Sequence, residues 1–295
     1  MDIRVILIFI FSAITGMVNG QSLLDQLSDE LKQKPDTNYA TATFKSTRII
    51  NGQSIETVGK NGMNIIISHR FGNLNSGIHQ FYGLDQSSIR IGLEYGISRR
   101  LDVGLGRSRD QELVDGYIKY KLIRQSSGAI VMPVSVTFYT SMQVKAQKWS
   151  QPELVHKLSD RFSYVNEFLI ARKFSNNFSL QFVPGFVHRN LTQTIGDKNL
   201  VPYLGIGARY KITNRLSLSS EYYYVYPGLT ALPSYNPFSV GIDIETGGHI
   251  FQLHFSNSRG MQEKIMIPDN PFSWSHGDIG FGFNIIRNFN LKPHS

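Results

Sequence analysis

From about residue 62 to residue 289 the chain alternates apolar and polar positions in short segments, such as Arg90-Ile91-Gly92-Leu93-Glu94-Tyr95-Gly96 and Phe178-Ser179-Leu180-Gln181-Phe182. A period of two places alternate side chains on opposite faces of a strand. Twelve such strands are predicted, at 62–70, 87–96, 101–109, 115–124, 128–140, 161–173, 177–188, 199–211, 215–226, 238–246, 249–256 and 277–289. Tight connections such as Ile97-Ser98-Arg99-Arg100, Gln125-Ser126-Ser127, Ser175-Asn176, Ile212-Thr213-Asn214 and Gly247-Gly248 alternate with long ones at 71–86, 141–160, 189–198, 227–237 and 257–276. The connection at 110–114 takes a long-loop place but is only modest in length. An even strand number, with both chain ends on the short-turn side, predicts an all-β transmembrane antiparallel up-and-down β-barrel. A soluble sandwich would also alternate, but it would not require the apolar face to point outward.

The two faces differ in chemistry. One carries Ile89, Ile91, Leu93 and Tyr95, then Ile118, Tyr120 and Leu122, then Phe178, Leu180, Phe182 and Phe186, and continues to Phe281, Phe283 and Ile285. Aromatic residues close many of these strands, as at a membrane interface, so this face is predicted to meet lipid. The other face holds glycine and charge: Arg90, Glu94, Lys119, Lys121, Glu167, Arg209, Lys211, Glu221, Asp243 and Glu245 are predicted to line the lumen. Their signs segregate by strand. Two readings stand: ion pairs across a narrow barrel, or a polar channel with opposed charged walls. Near the first long loops, Arg70, Arg90 and Arg107 lie on neighbouring strands with Asp85 and Asp110 in reach. This predicts a salt-bridged network at the barrel mouth, or an arginine cluster for a carboxylate or phosphate.

The chain before the barrel divides in two. Arg4 followed by the apolar run Val5–Ile14 and the small residues near Val18-Asn19-Gly20 predicts a signal peptide over residues 1–20. That run is too short for a membrane-spanning helix of ~20 residues. Residues 21–61 are predicted as a periplasmic helix and lead-in. Ser22 caps the helix over 22–34, Leu23, Leu24, Leu27 and Leu31 share one face, and Pro35 stops it. The lead-in 36–61 is polar with a turn signal at Asn51-Gly52, and is a candidate plug. Residues 290–295 form a tail.

Composition narrows the picture further. The 295 residues contain no cysteine, so stability rests on the core and the solvent alone. The formal charge of +8 is spread over turns and strand faces without a basic run. With export, this argues against nucleic acid as a partner. No Gly-x-Ser-x-Gly elbow, His-Glu-x-x-His or phosphate loop occurs, so no catalytic residue, metal or cofactor is predicted. An outer-membrane enzyme with an apposed Ser–His pair is the least favoured class.

Ser68-His69-Arg70-Phe71-Gly72, Phe81-Tyr82-Gly83-Leu84-Asp85, Gly104-Leu105-Gly106-Arg107-Ser108 and the upstream Phe44-Lys45-Ser46-Thr47-Arg48-Ile49-Ile50-Asn51 resemble a domain-of-unknown-function family of Gram-negative outer-membrane β-barrel proteins. The resemblance covers most of the mature chain and is strongest over about 40–125. It implies fold and place, the cell outer membrane, and no mechanism. Gly280–Phe289 resembles the aromatic-rich terminal signal read by barrel-assembly machinery, although six residues follow Phe289. Lipid, that machinery and a small polar solute are the expected partners. The leading expectation is a porin-like channel for small polar solutes; the alternative is a plugged, non-conducting barrel serving as a structural or partner-binding platform.

Overall fold

A computed structural model describes residues 36–150 and 152–291. The predicted signal peptide and the 22–34 helix lie outside the described residues. Fourteen strands are present among the described residues. Two short ones, β1 (Thr37–Tyr39) and β6 (Ser126–Gly128), pair as a separate ribbon. The other twelve are β2 (Gly62–Asn73), β3 (Ser87–Gly96), β4 (Leu101–Ser108), β5 (Leu113–Ile123), β7 (Ser135–Lys145), β8 (Phe162–Lys173), β9 (Phe178–Arg189), β10 (Leu200–Lys211), β11 (Leu216–Val225), β12 (Phe238–Thr246), β13 (His249–Ser256) and β14 (Gly280–Asn290). They form one closed antiparallel barrel in chain order.

Closure joins the last strand to the first, with Ile285 opposite Ile67 and Ile286 opposite Ile66. An antiparallel barrel closes this way only with an even strand number. Closure leaves no unpaired edge, which a hydrocarbon environment requires. The strands run from 8 to 12 residues, near the ~9–11 needed for a tilted crossing. Exposure alternates along each strand as the sequence pattern demands: Ile91 and Leu105 are 56% and 65% exposed, while their chain neighbours Arg90 and Gly106 are buried.

One predicted strand is displaced. The apolar run Ala129–Met132 suggested a strand at 128–140, but the barrel strand starts at Ser135 and extends to Lys145. Pro133 donates no ladder hydrogen bond and interrupts the run. Ile130 and Val131 are accordingly exposed in the connection. The tight turn predicted at 125–127 is therefore an eleven-residue excursion, 124–134, between β5 and β7.

Candidate functional site

The lumen is the part of the molecule where polar chemistry concentrates, and it is filled. Residues 40–58 enter it from the end bearing the short turns. Arg48 and Gln53 pair across a small hairpin, with Ile49 N–H donating to Gly52 O (2.9 Å) and Ser54 N–H to Thr47 O (3.0 Å). The Asn51-Gly52 signal forms its tip. A β-carbon on Gly52 would lie 1.6 Å from the Tyr223 hydroxyl, so only glycine fits there. Phe44, Ile49, Ile50 and Ile55 are buried.

The wall holds this insert mainly by its backbone. Glu221 accepts from the N–H groups of Asn51 (2.8 Å), Gly52 (3.1 Å) and Ile50 (3.3 Å). Lys119 Nζ donates to the carbonyls of Thr47, Ser54 and Glu56 at 3.0–3.3 Å. Gln181 makes a two-point contact, accepting from Ile55 N–H (2.7 Å) and donating to Gln53 O (2.8 Å). Gln252 and Asn284 donate to Ile49 O and Ile50 O, each at 2.8 Å. Arg70 clasps Asn51 Oδ1 through Nε (3.0 Å) and Nη2 (2.7 Å). Each such group left unpaired away from water would cost about 1–3 kcal/mol, so these contacts allow irregular backbone to sit inside a barrel.

A second insert enters from the long-loop end. It spans residues 257–272 and includes the one-turn helix α1 (Glu263–Met266). Gln262 donates to Asp115 Oδ1 (3.0 Å), Glu263 accepts from Gln143 Nε2 (2.9 Å), and Asp269 pairs with Arg189 (2.7 Å). Met266 and Ile267 join Ile49, Ile50 and Ile55 in one apolar cluster. The wall side of that cluster is Val165 and Leu169 on β8, Val183 and Val187 on β9, and Val201 on β10, with Tyr117, Tyr139, Tyr203 and Tyr223 around it. The inner face was predicted to be small or charged. Along β8–β10 it also carries an apolar stripe, because here it packs against the apolar side chains of the inserts.

The predicted lumenal residues fall into this arrangement as follows. Arg90 forms a two-pronged pair with Asp115 (3.0 and 2.6 Å), a partner the sequence pattern did not single out. Glu94 accepts from Thr47 Oγ1 (2.6 Å), Asn64 and the Tyr117 hydroxyl. Lys121 faces Glu56 at 3.7 Å, and Glu245 pairs with Lys45 of the insert. Glu167 accepts from the Tyr203 hydroxyl (2.6 Å), Arg209 donates to Ala42 O (2.9 Å), and Asp243 accepts from Ser219 and Gln252. Lys211 is half-buried at the turn end of β10. Among the described residues, no two of these ten form a direct ion pair with each other; the insert supplies many of their partners.

The mouth network does not assemble as drawn. Arg70 points into the lumen toward Asn51 and Asn284. Arg107 is in the outward phase of β4, 3.8 Å from Glu112, and Asp85 is exposed. Asp110, in the loop after β4, is held above the usual carboxylate range by burial. The functional residues missed from sequence, Thr47, Asn51, Asp115, Gln143 and Glu263, are polar groups whose partners are distant in the chain. Their available signals were apolar residues without a strand pattern: Ile49-Ile50 in the lead-in and Met266-Ile267 in a loop.

A closed twelve-stranded barrel with an apolar outer face and internal polar inserts defines a membrane β-barrel protein. The chain belongs to the family described as membrane bound beta barrel domain (DUF5777), which it matches over residues 44–289. The match begins inside the first insert, ahead of the first barrel strand. No curated protein matches the sequence significantly. Among solved structures, the NanC porin aligns with a TM-score of 0.48 at 8% identity, over 78% of this chain and 100% of that one. The KdgM porin gives 0.45 at 7% identity, over 78% and 99%. The outer membrane phospholipase A from Escherichia coli gives 0.43 at 10%, over 78% and 91%. Likenesses of that extent, shared with porins and an enzyme alike, carry no functional inference.

Proposed function

We propose that this protein is an outer-membrane barrel closed at rest by its own N-terminal segment, and that it works as a structural or binding platform rather than a standing pore. The short turns and both chain ends of the barrel segment face the periplasm, and the long loops face outward. The observation that carries this reading is the apolar stripe on the inner wall of β8–β10, covered by Ile49, Ile50, Ile55, Met266 and Ile267. A water-filled channel would hydrate that stripe, at about 25 cal/mol for each Å² exposed. A core built this way favours the filled state.

Porin-like passage of small polar solutes is the competing reading. It is favoured by a cleft of about 280 Å³ at the turn end, where Lys45, Glu56, Asn64 and Glu245 line it beside Phe44, Val58 and Ile286. Passage would require the insert to withdraw. Planar-bilayer recording of the intact protein separates the two: the platform reading expects no sustained conductance, and steady conductance would overturn it. A disulfide between Asn51→Cys and Ser239→Cys, residues in hydrogen-bond contact at 2.9 Å, tests withdrawal in a chain otherwise free of cysteine. Conductance that vanishes on oxidation and returns on reduction would establish a mobile plug.

A further inference from the structure

At the long-loop end, a cavity of about 420 Å³ opens between the ends of β7 and β9 and the second insert. Three cations face it from three elements: Lys145 closing β7, Arg189 closing β9 and Lys264 on α1. Lys264 is buried, yet its Nζ donates only to the neutral Gln111 Oε1 (3.1 Å), and among the described residues it forms no ion pair. Burial holds its ammonium down at about 8, with Lys145 and Arg189 adding like-charge repulsion against the attraction of Asp269. Arg189 spends Nη1 on Asp269 (2.7 Å) and Nη2 on Lys198 O (3.0 Å), while its buried Nε has no partner. Two aspartates line the same cavity. Asp269 is taken by Arg189, and Asp160 accepts from Lys157 N–H (2.8 Å).

We propose that this cavity is a binding site for a phosphate group carried on a sugar-sized ligand. A desolvated ammonium without a direct ion pair is costly to keep, and an anion placed beside it lowers that cost. The donors on offer are the ammonium groups of Lys264 and Lys145, which line one cavity from separate elements, with the Arg189 guanidinium adding positive charge beside them. That set suits a tetrahedral anion with several oxygens better than a planar carboxylate, because the two-pronged face of Arg189 is already engaged. The rest of the lining mixes Thr192 and Gln193 with Leu191 and the Trp149 edge, which fits a sugar ring. The Trp149 ring itself is stacked on His156 (3.9 Å) with Arg161 over it (4.5 Å), so the ring is part of the wall. The phosphate can come from a free sugar phosphate or from a phosphorylated glycolipid headgroup. The site stands whether or not the lumen opens, because conductance and binding are read separately.

The test is calorimetric titration of the full chain in detergent with glucose 6-phosphate and with glucose, repeated with Lys264→Met, Lys145→Gln and the turn-end control Lys60→Gln. The proposal expects preference for the phosphate, an affinity loss of about tenfold or more in the first two variants, and none in the control. The lipid arm uses nanodiscs containing bis-phosphorylated or dephosphorylated lipid A. Binding confined to the phosphorylated discs and lost in Lys264→Met supports the site and assigns the lipid source. Equal affinity for glucose and glucose 6-phosphate without phosphate-dependent lipid binding would overturn it. So would an unchanged phosphate affinity in Lys264→Met and Lys145→Gln. Thermal unfolding of each variant identifies a misfolded protein, and the half-buried Lys145 position keeps the test valid if Lys264→Met fails to fold.

Discussion

The two inserts fill one lumen by opposite means. The 40–58 hairpin is held through its backbone by side chains of the wall: Glu221, Lys119, Gln181, Gln252 and Asn284. The 257–272 loop is held largely through its own side chains, with Gln262, Glu263 and Asp269 reaching to Asp115, Gln143 and Arg189. Specificity for the first insert therefore resides in the barrel, and for the second in the loop. The hairpin depends on charges about 60 to 170 residues away in sequence, and its Thr47 and Asn51 side chains add contacts to Glu94, Arg70 and Ser239. The loop depends on its own sequence.

The largest expected disruption of this contrast is Gly52→Val. The added side chain collides with Tyr223, and overpacking of this kind costs about 3 kcal/mol. Amide hydrogen exchange should show residues 47–55 losing protection while 262–267 keep theirs; protection retained in the hairpin would refute backbone anchoring. Glu221→Ala comes next: three buried N–H groups lose their acceptor, but the desolvation cost of the buried carboxylate is removed and water can enter the vacated space, so the net loss is about 2 kcal/mol. Exchange should rise at residues 50–52. Loss of protection in the loop as well would mean that the two inserts are one cooperative unit. Gln262→Ala should cost about 1 kcal/mol and loosen the loop alone, because Asp115 keeps Arg90.

The last effect is on pH. The Lys264 ammonium is depressed to about 8 from its ordinary 10.5, chiefly by burial, with Lys145, Arg189 and Asp269 facing it. Between those values the unfolded chain binds the proton and the folded chain does not, so stability rises with pH across this window. The penalty is fully present below about 8. Thermal unfolding of wild type compared with Lys264→Met from pH 7 to 10 should show a stabilising slope that the variant lacks. Bound phosphate should flatten the slope by keeping the lysine charged.

Much of the barrel was legible because strand periodicity is local. Ile91, Leu93, Phe182 and Ile206 declare the outer face wherever the strands go, and turn residues such as Gly247-Gly248 declare the hairpins. The displaced strand at Ser135 shows the limit of that reading. Ala129–Met132 has strand-like side chains, and the constraint that excludes it from the barrel is the missing N–H of Pro133. The inward phase was harder. Arg90, Glu94, Lys119 and Glu221 were visible as charges on the non-lipid side, but nothing local says what each one meets.

By itself, the sequence determined the alternation, the even strand number, the apolar outer belt and the turn at Asn51-Gly52. Each of these is a property of neighbours in the chain. Only the tertiary structure decided that two inserts pack inside the lumen, and the reason is long-range. Val165, Val187 and Val201 require a dry partner, and Ile49, Ile50 and Met266 become that partner only once the barrel has brought its wall around them. The charges that suggested a path are held by the two segments that fill it.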